Sequence, residues 1–437
     1  MDHVLGLKCV LCGAEYALDE VDYVCPRHTG AQVGPPASQA GGGKPGPGGD
    51  EGILDVVYDY RRIGRRFTRA GLARNRDYTI WRYKPLLPVR PDSPVPPLTV
   101  GWTPLYRADT LAATLGLNQF WIKDDGRQPT ASFKDRASAV GLVRAQELGR
   151  AVITAASTGN AASSLAGLCA SVGQRPIIFV PITAPRAKVA QLLLFGATVL
   201  AVQGTYDQAF DLCLAASREY GWYSRNTAYN PYLSEGKKTA ALEICEQLGW
   251  QAPDRIFTSV GDGCIIGGLW KGLRDLLALG FIEQMPRLMG VQAEGSAVLY
   301  NAWLAGSEEI TPIVPTTLAD SISVGIPRDR IKALRAVRQT GGEFLTVSDE
   351  EILAAMRALA RGMGVFAEPA GATAYAGLVK LAHQGRLRPD ERIVVLVTGN
   401  GLKDVDSAMQ ATATAPIPLE PTVEDLRATV TRLGLSH

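Results

Sequence analysis

Histidine is scarce in this chain of 437 residues. There are four histidines, and His3 and His437 lie at or next to the ends of the sequence. A Ser/His/Asp hydrolase would have to depend on His383, which lies in a polar stretch at the end of a predicted helix. The spacing of His28 from three cysteines fits a metal ligand better than a catalytic base. We therefore expect the reactive base to be a residue other than histidine.

Long apolar runs and an excess of one charge sign are also missing. The formal net charge is +2, and no long basic block is present, which argues against nucleic acid or an anionic membrane as a partner. No apolar run approaches the roughly 20 residues that span a bilayer, and the first residues lack the pattern of a signal peptide. The sequence thus favours a cytoplasmic protein that acts on a small molecule.

Cysteine is not abundant, but three of the seven cysteines fall within residues 9–25. Cys9 and Cys12 form a C-x2-C pair, and Cys25 and His28 form a C-x2-H pair twelve residues later. Two such knuckles supply the four ligands of a tetrahedral zinc site, which predicts a zinc-ribbon-like segment over residues 1–30. Reduced, unrelated thiols or a ribbon that no longer holds metal are the alternatives.

The composition changes abruptly after this segment. Residues 31–52 consist mostly of Gly, Pro, Ala and Ser, a composition typical of a flexible linker. The length of the chain predicts more than one domain. We expect a catalytic core over residues 53–414 and a helical extension over residues 415–437.

Short β-branched runs alternate with helical stretches through the core. These runs are apolar on both faces and are separated by helices of about 10–15 residues, which predicts an α/β fold with parallel sheets covered on both sides. Ligands of such sheets bind at the carboxyl ends of the strands. The predicted strands are residues 120–123, 151–154, 176–180, 197–202, 255–260, 288–292 and 392–398.

Lys134 follows a breaker and capping cluster that contains Pro129, Thr130 and Ser132, and it precedes a predicted helix over residues 134–148. A lysine held at such a turn and partly desolvated has a depressed pKa and can form a Schiff base with an aldehyde. The alternative is a solvated lysine in a first helical turn.

A glycine-rich loop follows the strand predicted at residues 255–260. Glycines let backbone N–H groups converge on an anion, and a helix N-terminus adds its positive end, so the loop suits a phosphate. A dinucleotide site, with Glu294 on the ribose, and a tight turn without ligand are the alternatives. This segment, the glycine loop, consists of Gly261, Asp262, Gly263, Cys264 and Ile265.

Two further loops follow predicted strands. Ser157, Thr158 and Gly159 form a turn suited to a substrate carboxylate, and Asn160 could donate to a phenolate-like oxygen, although an N-cap is the simpler explanation. Thr398 offers a neutral hydroxyl at the end of the last strand. An amine, a phosphate cradle, carboxylate donors and a neutral hydroxyl together describe a pyridoxal-phosphate site.

The motifs resemble those of threonine synthase and its relatives, the fold-type II pyridoxal-phosphate enzymes of the tryptophan synthase β-subunit superfamily. The resemblance runs from about residue 101 to residue 404. It is carried by Pro129-Thr130-Ala131-Ser132-Phe133-Lys134-Asp135-Arg136, Ser157-Thr158-Gly159-Asn160, Asn230-Pro231-Tyr232, Glu235-Gly236-Lys237-Lys238-Thr239, Glu368-Pro369-Ala370 and Thr398-Gly399-Asn400-Gly401.

The resemblance implies two αβα domains with the active site between them, a smaller mobile subdomain over about residues 135–226, and a homodimer. It also implies that Lys134, next to Phe133, carries the cofactor, that Asn160 faces the pyridoxal hydroxyl, and that the glycine loop holds the phosphate. Thr398 would meet the pyridine nitrogen. A hydroxyl does not keep that nitrogen protonated, which favours elimination or replacement at Cβ or Cγ over transamination.

The implied reaction is that of threonine synthase, which converts O-phosphohomoserine and water to threonine and phosphate. Ala161, Leu233 and Ile265 depart from the residues that the resemblance leads us to expect around the substrate phosphate. Losing charge-assisted hydrogen bonds there would cost on the order of 1.5–3 kcal/mol each. Three nearby cations are candidates to compensate: Arg225, Lys237 and Lys238.

Two other functions stay open from the sequence. A serine/threonine-type ammonia-lyase, or another β-replacing enzyme with an unphosphorylated substrate, fits the same cofactor, and Glu368-Pro369-Ala370 is also similar to amino-acid dehydratases. An NAD(P)-dependent oxidoreductase is a remote alternative that would not need Lys134.

Overall fold

The structure of this protein is a computed structural model that describes residues 1–28, 52–412 and 414–435. Most of the predicted linker, residues 31–51, lies outside the described residues. The strands are β1 (Val4–Cys9), β2 (Glu15–Tyr16), β3 (Leu54–Tyr58), β4 (Leu105–Arg107), β5 (Gln119–Asp124), β6 (Val152–Ala156), β7 (Arg175–Pro181), β8 (Thr198–Val202), β9 (Tyr223–Ser224), β10 (Arg255–Ser259), β11 (Arg287–Ala293), β12 (Glu343–Val347) and β13 (Arg392–Val397).

The helices surround the strands and in most cases connect them. They are α1 (Tyr60–Gly64), α2 (Arg69–Arg74), α3 (Asp109–Thr114), α4 (Lys134–Glu147), α5 (Asn160–Ala170), α6 (Arg186–Leu194), α7 (Tyr206–Tyr220), α8 (Tyr232–Lys237), α9 (Thr239–Gln247), α10 (Cys264–Ala278), α11 (Val298–Leu304), α12 (Arg330–Gln339), α13 (Asp349–Met363), α14 (Pro369–His383), α15 (Val405–Thr412) and α16 (Val423–Arg432). Among the described residues, no helix is both long enough and apolar enough to cross a membrane.

Two sheets form the catalytic part of the chain. The larger sheet has the strand order β12-β11-β10-β13-β5-β4 and is parallel except at its edge strand β4. The smaller sheet has the order β8-β7-β6-β9 and is parallel throughout. Every residue of the central strands β6 and β10 is buried, as expected for parallel strands covered by helices on both faces. The predicted α/β fold class is confirmed.

Local backbone geometry sets the start of two helices. Helix α10 begins at Cys264, because the positive φ of Gly263 turns the chain directly into it. Residues 60–74 form the two short helices α1 and α2, since Thr68 is extended and its hydroxyl accepts from the Gly71 N–H to start the second one. Strand β12 was not predicted and extends the larger sheet beyond β11.

A third sheet joins the N-terminal segment to the catalytic part. Strand β1 pairs antiparallel with β2 and with β3, which lies on the far side of the predicted linker. From β3, Asp55 forms an ion pair with Lys271 of α10 at 2.9 Å, and the Tyr58 hydroxyl donates to Glu235 of α8 at 2.7 Å. The N-terminal sheet therefore packs against α10, which begins in the glycine loop, and against α8, which ends at Lys237.

A buried ion-pair network anchors the start of α4. The Arg136 guanidinium donates to both carboxylate oxygens of Asp125, at 2.6 and 2.9 Å, and to Glu243 of α9 at 2.5 and 2.8 Å. Lys123 approaches the same Glu243 carboxylate at 2.7 Å. All four side chains are fully buried, and their charges balance. The network links β5, α4 and α9 immediately beyond Lys134.

We predict that Arg136→Met lowers the free energy of unfolding by about 3–5 kcal/mol, because it leaves two carboxylates facing only one cation in the interior. Urea denaturation of the variant and the parent protein measures the difference. Arg62→Met is the matched control: Arg62 forms an exposed pair with Asp2, so its loss should cost less than about 1 kcal/mol. Equal losses in the two variants would contradict the prediction.

Candidate active site

Lys134 is the first residue of α4 and lies beside the end of β13. The Phe133 N–H donates to the Thr398 carbonyl at 2.8 Å, and the Asn400 N–H donates to the Ala131 carbonyl at 3.1 Å. Ala131 has a φ of 63°, a conformation that non-glycine residues rarely adopt and that is held here by these bonds. The turn before Lys134 is therefore fixed to the carboxyl end of the larger sheet.

The Lys134 amine is poised to act as a nucleophile. Burial lowers its pKa to about 8, and the nearby positive charges of Lys237 and Arg225 act in the same direction. The negative charge of Glu368 opposes this shift only in part. Within the described residues the amine makes no hydrogen bond. A large fraction of this lysine is therefore neutral near pH 8, unlike an ordinary lysine.

The glycine loop connects β10 to α10 in a tight, crowded turn. Gly263 has a φ of 92°, and a Cβ there would lie 2.7 Å from the Ala333 Cβ and 2.9 Å from the Asp329 carbonyl oxygen. The N-terminus of α10 has no side-chain cap, so its first N–H groups point from the loop without a partner from a capping residue. Only glycine fits at this position, and the loop offers amides to an anion.

The other residues of the glycine loop are held in place by contacts with the rest of the protein. A Cβ on Gly261 would lie 2.9 Å from the Ile322 Cα, which again requires glycine. The Asp262 carboxylate accepts from the Arg328 N–H at 3.3 Å. Cys264 is buried, and Ile265 packs against the apolar core beneath α10. The loop therefore presents mainly backbone to a ligand.

Lys134, the glycine loop and Thr398 lie at one edge of the larger sheet. Strands β10 and β13 are neighbours, and the hydroxyls of Ser259 and Thr398 at their ends are 3.5 Å apart. Lys134 and Cys264 are close enough to influence each other's pKa. The arrangement that the predicted cofactor requires, an amine facing a phosphate loop, is thus present.

The turn of Ser157, Thr158 and Gly159 precedes α5 at the end of β6. The Ser157 hydroxyl accepts from the Gly159 N–H at 3.2 Å and so supports the turn itself. Thr158, Gly159 and Asn160 line a cleft of about 130 Å³ between the two sheets. The Asn160 amide donates to both carboxylate oxygens of Glu368, at 2.9 and 3.1 Å.

Glu368 is a part of the site that sequence reasoning missed as a functional residue. It is 4% exposed, lies at the start of α14, and borders the cleft. Burial raises the pKa of its carboxyl group, although the bond from Asn160 opposes this. A Cβ on Gly399 would lie 2.2 Å from the Glu368 carboxylate, so this close approach depends on glycine. The only signal in the sequence was the Glu-Pro-Ala motif.

Arg225, Lys237 and Lys238, the three candidates to replace the missing phosphate-binding side chains, have different environments. Lys238 forms ion pairs with Glu235 at 2.5 Å and Asp275 at 2.6 Å, so it is already engaged. Arg225 and Lys237 are both 1% exposed, and neither has an ion-pair partner among the described residues. Both are close enough to Lys134 to lower its pKa, so they belong to its surroundings.

The residues at the three unexpected positions do not supply polar groups. Leu233 is fully buried and packs against Gly141 of α4: a Cβ added to Gly141 would lie 2.9 Å from the Leu233 Cδ2. Ile265 contacts the apolar core, and Ala161 is half-buried beside Asn160. None of these side chains can bind an anion.

A cluster of possible metal ligands lies at the tip of the N-terminal sheet. One ligand atom from each of Cys9, Cys12, Cys25 and His28 lies within 4.8 Å of the others. The Cys12 and Cys25 sulfurs are 3.8 Å apart, and the Tyr16 hydroxyl lies 2.9 Å from the Cys25 sulfur. The predicted grouping of these four residues in space is present.

Similarity to known proteins identifies the family. The sequence model of the family described as pyridoxal-phosphate dependent enzyme matches residues 97–399. The chain belongs to this family. It is 39% identical to the threonine synthase of Methanocaldococcus jannaschii over 94% of this chain and 96% of that protein. It is 38% identical to the threonine synthase of Methanosarcina acetivorans over 96% of both proteins.

The fold also matches solved structures of fold-type II enzymes. The processed form of threonine deaminase isoform 2 from Solanum lycopersicum superposes with a TM-score of 0.62 at 23% identity, covering 72% of this chain and 88% of that one. At this level of identity the match concerns the fold. The predicted fold-type II architecture and the predicted cofactor class are confirmed.

The side chains of the site fit pyridoxal phosphate. The Lys134 amine is close enough to Cys264 of the glycine loop for the two groups to influence each other's pKa. The neutral Thr398 hydroxyl lies 3.5 Å from the Ser259 hydroxyl, at the end of the strand that leads into the loop. The Ser132 hydroxyl and the Arg225 Nη2 are buried without a hydrogen-bond partner among the described residues. Buried polar atoms of this kind are expected where a polar ligand completes the site.

We predict that the rate of cofactor attachment to the ligand-free protein rises about tenfold per pH unit at low pH and levels off above about pH 8, because only the neutral Lys134 amine attacks an aldehyde. Stopped-flow absorbance after mixing with pyridoxal phosphate measures the rate, and Lys134→Ala should give no such signal. A rate that keeps rising to pH 10 would indicate an unperturbed lysine.

Proposed function

We propose that this protein is a threonine synthase that converts O-phosphohomoserine and water to threonine and phosphate. The observation that carries the proposal is the set of relatives named threonine synthase, which match almost the whole chain at 38–39% identity. An excess of buried positive charge next to Lys134 supports a phosphorylated substrate. The proposed site residues are those described above.

Lys134, the glycine loop and Thr398 would each have a separate role in the reaction. Bound pyridoxal phosphate would supply the electron sink that stabilises negative charge on the substrate carbons. Lys134 would hold the cofactor aldehyde and then take and return protons at these carbons, for which its lowered pKa is suited. The amides of the glycine loop would hold the cofactor phosphate, and Thr398 would face the ring nitrogen without protonating it.

The cleft side of the site would orient the substrate. Thr158 and Gly159 would bind the substrate carboxylate through a hydroxyl and backbone N–H groups, at the end of the Ser157 turn. Glu368 positions the Asn160 amide, which would face the cofactor hydroxyl. Closure of the smaller subdomain, residues 135–226, over the cleft would exclude water until it is needed as the second substrate.

Purified protein loaded with pyridoxal phosphate should release phosphate and threonine in equal amounts from O-phosphohomoserine. Lys134→Ala should lose activity by ~10³-fold or more, because it removes both the covalent anchor and the proton carrier. Lys8→Ala, the same change at a half-exposed lysine of the N-terminal sheet, should leave the rate unchanged. Product analysis by phosphate assay and amino-acid chromatography provides both measurements.

An ammonia-lyase is the second candidate, favoured by the apolar residues at positions 161, 233 and 265. Ammonia and a 2-oxo acid formed from serine or threonine, without any release of phosphate from O-phosphohomoserine, would replace the first proposal with this one.

We also propose that the Cys/His cluster holds a structural zinc ion. With Zn–S bonds of about 2.3 Å, a tetrahedral site separates two sulfurs by about 3.8 Å, which agrees with the 3.8 Å between Cys12 and Cys25. His28 Nε2 is buried without a hydrogen-bond partner among the described residues, as expected of a ligand nitrogen. The Tyr16 hydroxyl would support Cys25 from outside the ligand set.

We predict about one zinc ion per chain in the purified protein and a large loss of zinc in Cys12→Ser, because the variant lacks one of four ligands. Cys245→Ala is the control, since Cys245 is buried far along the sequence in α9 and should not affect metal content. Inductively coupled plasma mass spectrometry measures the metal. Unchanged zinc in Cys12→Ser would rule out this ligand set.

The homodimer and the cytoplasmic location remain proposals. Analytical ultracentrifugation of the protein loaded with its cofactor would determine the oligomeric state.

A further inference from the structure

Two buried cations near Lys134 lack the partners that buried cations normally have. Arg225 follows β9 at the carboxyl end of the smaller sheet and is 1% exposed. Its Nε donates to the Ser138 hydroxyl at 3.0 Å and its Nη1 to the Thr227 hydroxyl at 3.4 Å, whereas its Nη2 is buried without a hydrogen bond among the described residues. Both bonds go to neutral groups, so no carboxylate binds the guanidinium directly within the part of the chain that the structure describes.

The hydrogen bond to Ser138 of α4 places Arg225 close to Lys134. Ser138 and Lys134 are four residues apart on the same face of α4, one turn from each other. The guanidinium held by Ser138 is therefore close enough to the Lys134 amine to lower its pKa. Burial lowers the Arg225 pKa to about 10, and the negative charge of Asp135 opposes this shift only in part. The nearby Asp135 carboxylate already accepts two bonds from Thr130, at 2.7 and 2.5 Å.

Lys237 approaches from the side of the glycine loop. It is the last residue of α8 and is 1% exposed. Its backbone packs against α10 so closely that a Cβ on Gly268 would lie 2.7 Å from the Lys237 Cβ. Gly268 is one turn after Cys264, the first residue of α10, which places Lys237 beside the N-terminus of that helix.

Three cations, Lys134, Arg225 and Lys237, thus converge beside a helix N-terminus. Each buried cation carries a large desolvation cost unless an anion compensates it. Lys238, the next residue along the chain, is compensated by two carboxylates, which shows that this region supplies partners where a cation has a purely structural role. Among the described residues no carboxylate lies within ion-pair distance of Arg225 or Lys237, although the Asp329 carboxylate is close enough to Lys237 for the two charges to interact. Two buried cations without direct ion-pair partners are what a binding site for a dianion requires.

We propose that Arg225 and Lys237 form a binding site for a dianionic phosphate monoester next to Lys134. The proposal rests on the proposed function. Two phosphates could occupy this site, that of O-phosphohomoserine and that of the cofactor. The substrate phosphate is the expected occupant, because the glycine loop already offers amides to the cofactor phosphate and because Ala161, Leu233 and Ile265 cannot bind an anion.

The test compares Arg225→Gln, Lys237→Gln and the parent protein in three measurements. The first is the dissociation constant of pyridoxal phosphate, from absorbance titration of the ligand-free protein. The second is KM and kcat for O-phosphohomoserine. The third is the rise in melting temperature of the ligand-free protein with inorganic phosphate, which requires no catalysis.

If the substrate phosphate binds here, each variant should raise KM by ~10-fold or more, with less than a ~3-fold change in cofactor affinity, as expected for losing one charge-assisted hydrogen bond. The rise in melting temperature that inorganic phosphate causes should also be smaller in each variant than in the parent protein. A ~10-fold weaker cofactor affinity with unchanged KM would support the site with the cofactor phosphate as occupant. Unchanged KM, cofactor affinity and phosphate effect would overturn the proposal.

Controls separate the site from general effects of charge and folding. Arg225→Lys keeps a cation and should recover part of the affinity, whereas Arg218→Gln removes an exposed guanidinium from α7 and should change nothing. The ligand-free Lys237→Gln protein should melt no lower than the parent, because an uncompensated buried charge has been removed. A lower melting temperature together with unchanged binding would assign Lys237 a structural role and overturn its part in the site.

The proposed function and this site can fail separately. If the parent protein does not turn over O-phosphohomoserine, the threonine synthase proposal fails, while cofactor affinity and the effect of inorganic phosphate still test the two cations. If the parent protein is active but the variants behave like it, only the phosphate site fails.

Discussion

The active site depends on a buried ion pair that contains no reacting atom. Arg136 is two residues after Lys134 and binds Asp125, directly after β5, and Glu243 from α9 with four charge-assisted hydrogen bonds. Lys123 balances the second carboxylate. Because a planar guanidinium can satisfy two carboxylates only in one orientation, the first turn of α4 has little freedom to shift. The position of Lys134 at the edge of the sheet follows from this constraint.

A second constraint is the distribution of charge around Lys134. The interior compensates most buried cations of this chain with carboxylates, as it does for Arg136 and Lys238. Among the described residues the exceptions are Arg225 and Lys237, which lie near Lys134 and the N-terminus of α10 and contribute to the lowered pKa of Lys134. The same positive charge would also attract anions, so a neutral lysine and an anion-binding site would share one electrostatic origin.

The N-terminal sheet is connected to the active site through its packing. The Val10 carbonyl, inside the Cys9–Cys12 knuckle, accepts a bond from Arg335 of α12 at 2.7 Å, and Asp55 of β3 pairs with Lys271 of α10. Helix α10 starts at the glycine loop, and the N–H of Asp329, immediately before α12, donates to the Asp262 carbonyl of that loop at 2.9 Å. The cysteine segment thus supports the helices next to the glycine loop, although it lies outside the cleft.

The sequence by itself determined the fold class and the cofactor class, and it placed Lys134 and the glycine loop at strand–helix turns and Cys9, Cys12, Cys25 and His28 at ligand spacing. Each of these depends on local signals: apolar strands between helices, glycines at a strand–helix turn, and short ligand spacings. The structure alone decided which charges are compensated. Arg225, Lys237 and Lys238 look alike in sequence, and only packing gives Lys238 two ion-pair partners while the other two have none within ion-pair distance among the described residues. Glu368 likewise became part of the site only when α14 brought it to Asn160, because contacts between residues more than 200 positions apart depend on how the sheets and helices assemble.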